Sequence, residues 1–80
     1  YEHEVKRRIN QVERLFTTES EEEALNILDE YNVRYIYVGQ LEHLYYPEAG
    51  LKKFTRMRKE RQIDIVYKNQ EVTIYKVNQR

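Results

Sequence analysis

The chain has 80 residues, no Cys, no Trp, two Gly, one Pro and eight Tyr, with 14 basic side chains against 14 acidic ones. A chain this short forms one domain and hides only about 60% of the surface its unfolded form exposes, which excludes a large buried catalytic cavity. The absence of Cys excludes a disulfide scaffold or a thiolate metal site, and no apolar run approaches the roughly 20 residues that cross a bilayer.

The first periodic segment carries Val5, Ile9, Val12 and Phe16 on one stripe, with Lys6, Arg7, Asn10 and Glu13 outside it, and predicts an amphipathic helix from about Glu4 to Phe16. Thr17 and Thr18 break it. Ser20 followed by Glu23 reads as a capping box, and Glu21, Glu22 and Glu23 then fall in the first turn of a second helix, where the helix dipole favours negative charge. Ala24, Leu25, Ile27, Leu28 and Tyr31 supply that helix's buried face. Asn32 stops it in a left-handed conformation.

Val33 to Val38 reads as a strand with neither side plainly polar, as expected for the middle of a sheet. Gly39 ends it, Gln40 to Tyr46 makes a short helical turn, and Pro47 opens a further short helix through Met57 with Leu51, Phe54 and Met57 inward. The last eighteen residues predict a hairpin. Ile63, Ile65 and Tyr67 alternate in its first strand, Asn69 and Gln70 turn, and Val72, Ile74, Tyr75 and Val77 form the second strand, with Tyr75 and Val77 opposite in face to Ile74. The fold class is therefore α+β: two layers, with two N-terminal helices, a small three-stranded mixed sheet and a short helix between strands 1 and 2.

The zero net charge conceals two blocks. Six acids and no base lie between Glu19 and Glu30, whereas Lys52, Lys53, Arg56, Arg58, Lys59 and Arg61 face only Glu60, which predicts a dipolar domain. The acidic block is accounted for by helix initiation. The basic one can neutralise phosphates of nucleic acid or lipid headgroups, with Lys52, Lys53, Arg56 and Lys59 as the candidate contacts, and Tyr35, Tyr37, Tyr67 or Tyr75 can stack bases if they stand exposed on the sheet. The N-terminal helices are expected to cover that face, and a neutral total disfavours nucleic acid.

Catalytic signals are sparse. His3 and His43 lie forty positions apart with no third ligand at a set spacing, so no metal or other cofactor is expected. Gly39 and Gly50 make no phosphate loop, and Ser20 is occupied by capping. Glu42 and His43, just after a strand end, are the only candidate acid/base pair.

The string Asp29-Glu30-Tyr31-Asn32-Val33-Arg34-Tyr35-Ile36-Tyr37-Val38-Gly39, then Leu41-Glu42, Tyr45-Tyr46-Pro47, Gly50-Leu51-Lys52-Lys53-Phe54, Ile65-Val66-Tyr67 and Val72 to Val77, resembles the C-terminal tail of large polytopic membrane proteins. The family it resembles is the YYY membrane protein family, itself similar to the GT-C glycosyltransferases. The resemblance spans about sixty of the 80 residues and singles out Gly39, Glu42 and Tyr46. It implies that residues 1–80 are a single soluble C-terminal piece of a larger membrane protein, tethered on the extracytoplasmic side. The implied role is that of a non-catalytic accessory domain, with any lipid-linked-sugar chemistry upstream. Its implied partners are the transmembrane part of the same polypeptide and a lipid headgroup or glycan. The alternative is a free-standing module that binds an anionic ligand through 52–61.

Overall fold

The computed structural model describes residues 2–78, with side chains from Ile9 onward; Val5 and His3 lie outside the described side chains. The elements run α1 (Glu2–Thr17), α2 (Glu21–Glu30), β1 (Tyr35–Val38), α3 (Gln40–Tyr45), α4 (Glu48–Lys59), β2 (Ile63–Lys68) and β3 (Thr73–Val77). The α+β class expected from the sequence is observed. Its sheet, however, is antiparallel throughout rather than mixed, in the order β1-β3-β2. β1 is consequently an edge strand, not the middle one. The connections explain this: the β2–β3 hairpin supplies one antiparallel pair, and β3 pairs on its other side with β1, taking the central place.

Helices cover one face of the sheet. Ile36, Val38, Tyr75 and Ile63 point into it and meet Leu28, Leu51, Phe54 and Met57, of which Phe54, Met57 and Ile63 are wholly buried. Each such side chain contributes about 1.5–3 kcal/mol on leaving water. The repeat of Leu51, Phe54 and Met57 every three residues thus does what the sequence predicts, in a helix that runs on to Lys59. Among the described side chains of α1, Leu15 and Phe16 are buried, while Ile9 and Val12 of the expected buried stripe stay about half exposed.

Both long helices that lead into strands end in the same local device. After α2, Asn32 takes φ 51°, the Val33 N–H reaches the Leu28 carbonyl at 2.9 Å and the Asn32 N–H reaches Asp29 at 3.2 Å. After α4, Arg61 takes φ 63°, with Gln62 N–H bonded to Met57 at 2.9 Å and Arg61 N–H to Arg58 at 3.0 Å. These are Schellman closures, which satisfy helix carbonyls left without partners. The first was legible in Asn32, whereas the second rests on an Arg.

At the start of α2 the Ser20 hydroxyl accepts from the Glu23 N–H at 3.2 Å, half of the expected capping box. The other half is rerouted. Ser20 N–H donates to the Thr18 hydroxyl at 3.1 Å, and the Glu23 carboxylate takes Arg14 Nε at 2.6 Å instead. Hydrogen bonds from Thr18 and Arg14 hold the Glu23 carboxyl below the usual range.

The hairpin differs from expectation in two places. A bulge between Ile65 and Tyr67 breaks the alternation, so Tyr67 leaves the face of Ile63 and becomes exposed. The turn is a four-residue loop rather than a two-residue one at positive φ: the Asn69 Oδ1 accepts from the N–H groups of Glu71 and Val72, each at 2.8 Å. An Asn side chain that supplies the turn's acceptor removes the need for Gly.

Candidate functional site

β1 is short because Asn32 and Gly39 bracket it, and its sequence Tyr-Ile-Tyr-Val carries no charge. The Val77 N–H donates to the Arg34 carbonyl at 2.8 Å, which sets the alternation: Arg34, Ile36 and Val38 turn their backbone groups toward β3, and Tyr35 and Tyr37 turn theirs away. Among the described residues no backbone hydrogen bond from outside the sheet reaches Tyr35 or Tyr37. The outer edge of β1 is open.

Along that edge runs an apolar groove of about 500 Å³. α1 provides Val12, Leu15 and Phe16, the strand and its approach provide Val33, Tyr35, Ile36 and Tyr37, and α3 with the residue that follows it provides Leu41, Glu42, Tyr45 and Tyr46. Its floor is the stack of Phe16 on Tyr46, and its rim is unusually exposed for apolar side chains: Leu41 at 65%, Tyr45 at 78%, Tyr35 at 60% and Tyr37 at 58%. Exposed apolar groups gathered in one patch are unusual on a protein surface. Glu42, the only ionisable carboxylate in the lining, is committed elsewhere: its Oε1 accepts the Gly39 N–H at 3.1 Å.

The opposite edge of the sheet is guarded. β2 carries Asp64 and Lys68 along with the bulge, features that discourage another strand from pairing there. A polar hollow of about 620 Å³, lined by Asp29, Asn32, Arg34 and Lys76 among others, lies where β1 begins and lacks comparable apolar walls.

The residues nominated from the sequence fall into three groups. Gly39, Glu42 and Tyr46 come together and hold α3 in place: Gly39 is the buried N-cap, Glu42 closes on its N–H, and Tyr46 packs on Phe16. Burial pushes the Tyr46 hydroxyl's pKa up. Glu42 and His43 do not form an acid/base pair, since His43 Nδ1 lies 3.2 Å from Glu48 Oε1. The basic cluster is divided by the helix. Lys52 and Lys59 are exposed, but Lys53 points inward and is wholly buried, donating to the Gly50 carbonyl at 2.7 Å with its ammonium 4.1 Å from the centre of the Phe54 ring. Arg56 reaches back to the acidic block, with Nε 3.2 Å from Glu21 Oε2 and a second bond to the Glu19 carbonyl. The two charge blocks therefore meet rather than form opposite poles.

The expectation that helices cover the tyrosine face is also corrected. They cover the Ile36, Val38 and Tyr75 face, which buries Tyr75 and leaves Tyr35, Tyr37 and Tyr67 open to solvent. The cross-strand register places Tyr37 and Tyr67 on either side of Ile74, while Tyr35 and Asp64 flank Lys76. This face carries aromatic surface but only a balanced pair of charges, and the basic helix α4 packs under the sheet's other face.

Comparison with protein-family models, with curated proteins and with solved structures finds no match. Among the described residues no cluster of three or more His, Asp or Glu side chains is placed to hold a metal ion, and no helix is long and apolar enough to cross a membrane. The groove residues Val12, Leu41 and Tyr45 were not nominated from the sequence. Leu41 and Tyr45 lie four apart, the spacing of one helix face, and were legible as an apolar pair seeking a partner.

Proposed function

We propose that the chain is a non-catalytic protein-binding domain that receives an uncharged, apolar polypeptide segment along β1. The observation that carries this reading is the coincidence of an unpaired, unguarded strand edge with an apolar groove beside it. The backbone edge offers hydrogen bonds to any extended chain, and the groove offers selectivity for apolar side chains. Catalysis is disfavoured because the one acid in the groove caps a helix and the neighbouring His pairs with another residue. The anion-binding alternative loses two of its four contacts, Lys53 to the core and Arg56 to Glu21.

An accessory domain beside a membrane-embedded, glycosyltransferase-like parent, as the resemblance implies, is the setting we propose for such a module. A longer reading frame with many hydrophobic segments before Tyr1 would support that setting, and a short one would remove it.

The binding reading is tested by selecting random peptides displayed on phage against the wild-type domain and against Leu41→Glu, with RNA and anionic vesicles titrated in parallel at two salt concentrations. Enrichment of alternating apolar sequences that is lost with Leu41→Glu is the expected result. No enrichment, enrichment indifferent to Leu41→Glu, or salt-sensitive binding of RNA or vesicles that depends on Lys52 and Lys59 would overturn it.

A further inference from the structure

Resting on that reading, we infer that the segment the groove receives is β1 of a second copy of this chain, the two strands pairing antiparallel about a two-fold axis through Ile36. The geometry of the edge is self-complementary. Only Tyr35 and Tyr37 present outward backbone groups, and they are two residues apart. With Ile36 on the axis, Tyr35 of each copy faces Tyr37 of the other, and each of these two pairs exchanges an N–H and a carbonyl in both directions. The two three-stranded sheets become one sheet of six strands. The four tyrosine rings stand side by side on its open face, where cross-strand aromatic pairs are favourable.

Charge and apolar surface agree with this occupant. Arg34 lies just before the strand and Glu42 just after it, so an antiparallel partner brings the basic end of one copy to the acidic end of the other. A parallel strand would set like ends together. Val12, Leu41 and Tyr45, all exposed and apolar, flank this edge on the groove side and would be covered by such a partner. The guarded β2 edge excludes the other way of joining two sheets, and a net charge of zero removes the repulsion that would keep copies apart.

Sedimentation velocity and amide hydrogen exchange of the whole chain, each measured from about 1 µM to about 1 mM, test the inference. A dimer is expected to form with concentration, and exchange at the Tyr35 and Tyr37 amides to slow by at least about tenfold, while the outward amides of Ile63 and Ile65 on the β2 edge stay fast. Leu41→Glu, at an exposed position, should return both readouts to the monomer values. A chain that stays monomeric, or a dimer whose Tyr35 and Tyr37 amides remain fast, overturns the inference. If such a chain still selects apolar peptides, the binding reading survives it, whereas loss of both overturns both.

Discussion

The ring of Tyr46 lies flat on that of Phe16, with centroids 4.9 Å apart and planes 13° from parallel. This contact fastens α3 to the end of α1 and makes the floor of the groove, and Phe16 in turn meets the edge of Phe54 at 5.8 Å. The packing, not the hydroxyl, is what the fold requires. Tyr46→Ala should therefore cost about 2 kcal/mol in urea unfolding, and Tyr46→Phe less than about 0.5 kcal/mol. Equal losses for the two variants would show that the hydroxyl, not the ring, matters.

Gly50 lets the start of α4 pack directly against the backbone at the end of α1. A β-carbon there would overlap the Phe16 carbonyl oxygen and lie 2.9 Å from that of Thr17, both of them backbone atoms that cannot rotate aside. Within a helix, Gly→Ala normally stabilises by about 1 kcal/mol. Here the sign should reverse, with Gly50→Ala destabilising by about 1–3 kcal/mol as the helices are pushed apart. A melting temperature at or above that of the wild type would refute the close approach.

Lys53 gives the fold a dependence on pH. Burial, assisted by the nearby Arg56 charge and opposed by Glu23, lowers its pKa from 10.5 to about 8. Between those values the folded state holds fewer protons than the unfolded chain, so stability rises with pH and the cost of burying the ammonium is greatest below pH 8. The gain should be about 2 kcal/mol between pH 8 and about pH 10. Above that, Tyr46 and Tyr75, whose pKa values burial raises, hold protons that the unfolded chain has lost, and stability falls again. Lys53→Met should remove the rise and be more stable at pH 7, measured by unfolding across the range. A flat wild-type profile would contradict the buried ammonium.

The Tyr31 hydroxyl is buried without a hydrogen-bond partner among the described residues. Its desolvation is uncompensated, so Tyr31→Phe should be neutral or stabilising by up to about 1 kcal/mol in thermal unfolding. A clear loss of stability would reveal a bond this account lacks.

Much of the fold was legible because it rests on local signals. Ser20 and the three glutamates start α2, Asn32 ends it, and Leu51, Phe54 and Met57 repeat at the period of a buried helix face. What escaped depends on contacts distant in sequence. β1 reads as a central strand because Tyr35 and Tyr37 are counted as buried apolar residues, yet the pairing of β3 with both other strands leaves them at an edge. Lys53 belongs to a run of bases, and only the helix phase turns it into the core. The bulge at Val66 carries no marker such as Gly. The groove escaped for the same reason: Val12, Tyr35 and Leu41 come from three elements that only the tertiary fold assembles. Gly39, Glu42 and Tyr46, singled out by the resemblance, position α3 and close the groove's wall.

The central claim, that the β1 groove is the binding surface, is tested most directly by the affinity of a selected apolar peptide for the wild type and for Leu41→Glu, read by fluorescence anisotropy at low and high salt. Binding by Leu41→Glu should be at least about tenfold weaker, with little response of the wild type to salt. Equal affinity for the two proteins, or binding that collapses as salt rises, would contradict that claim.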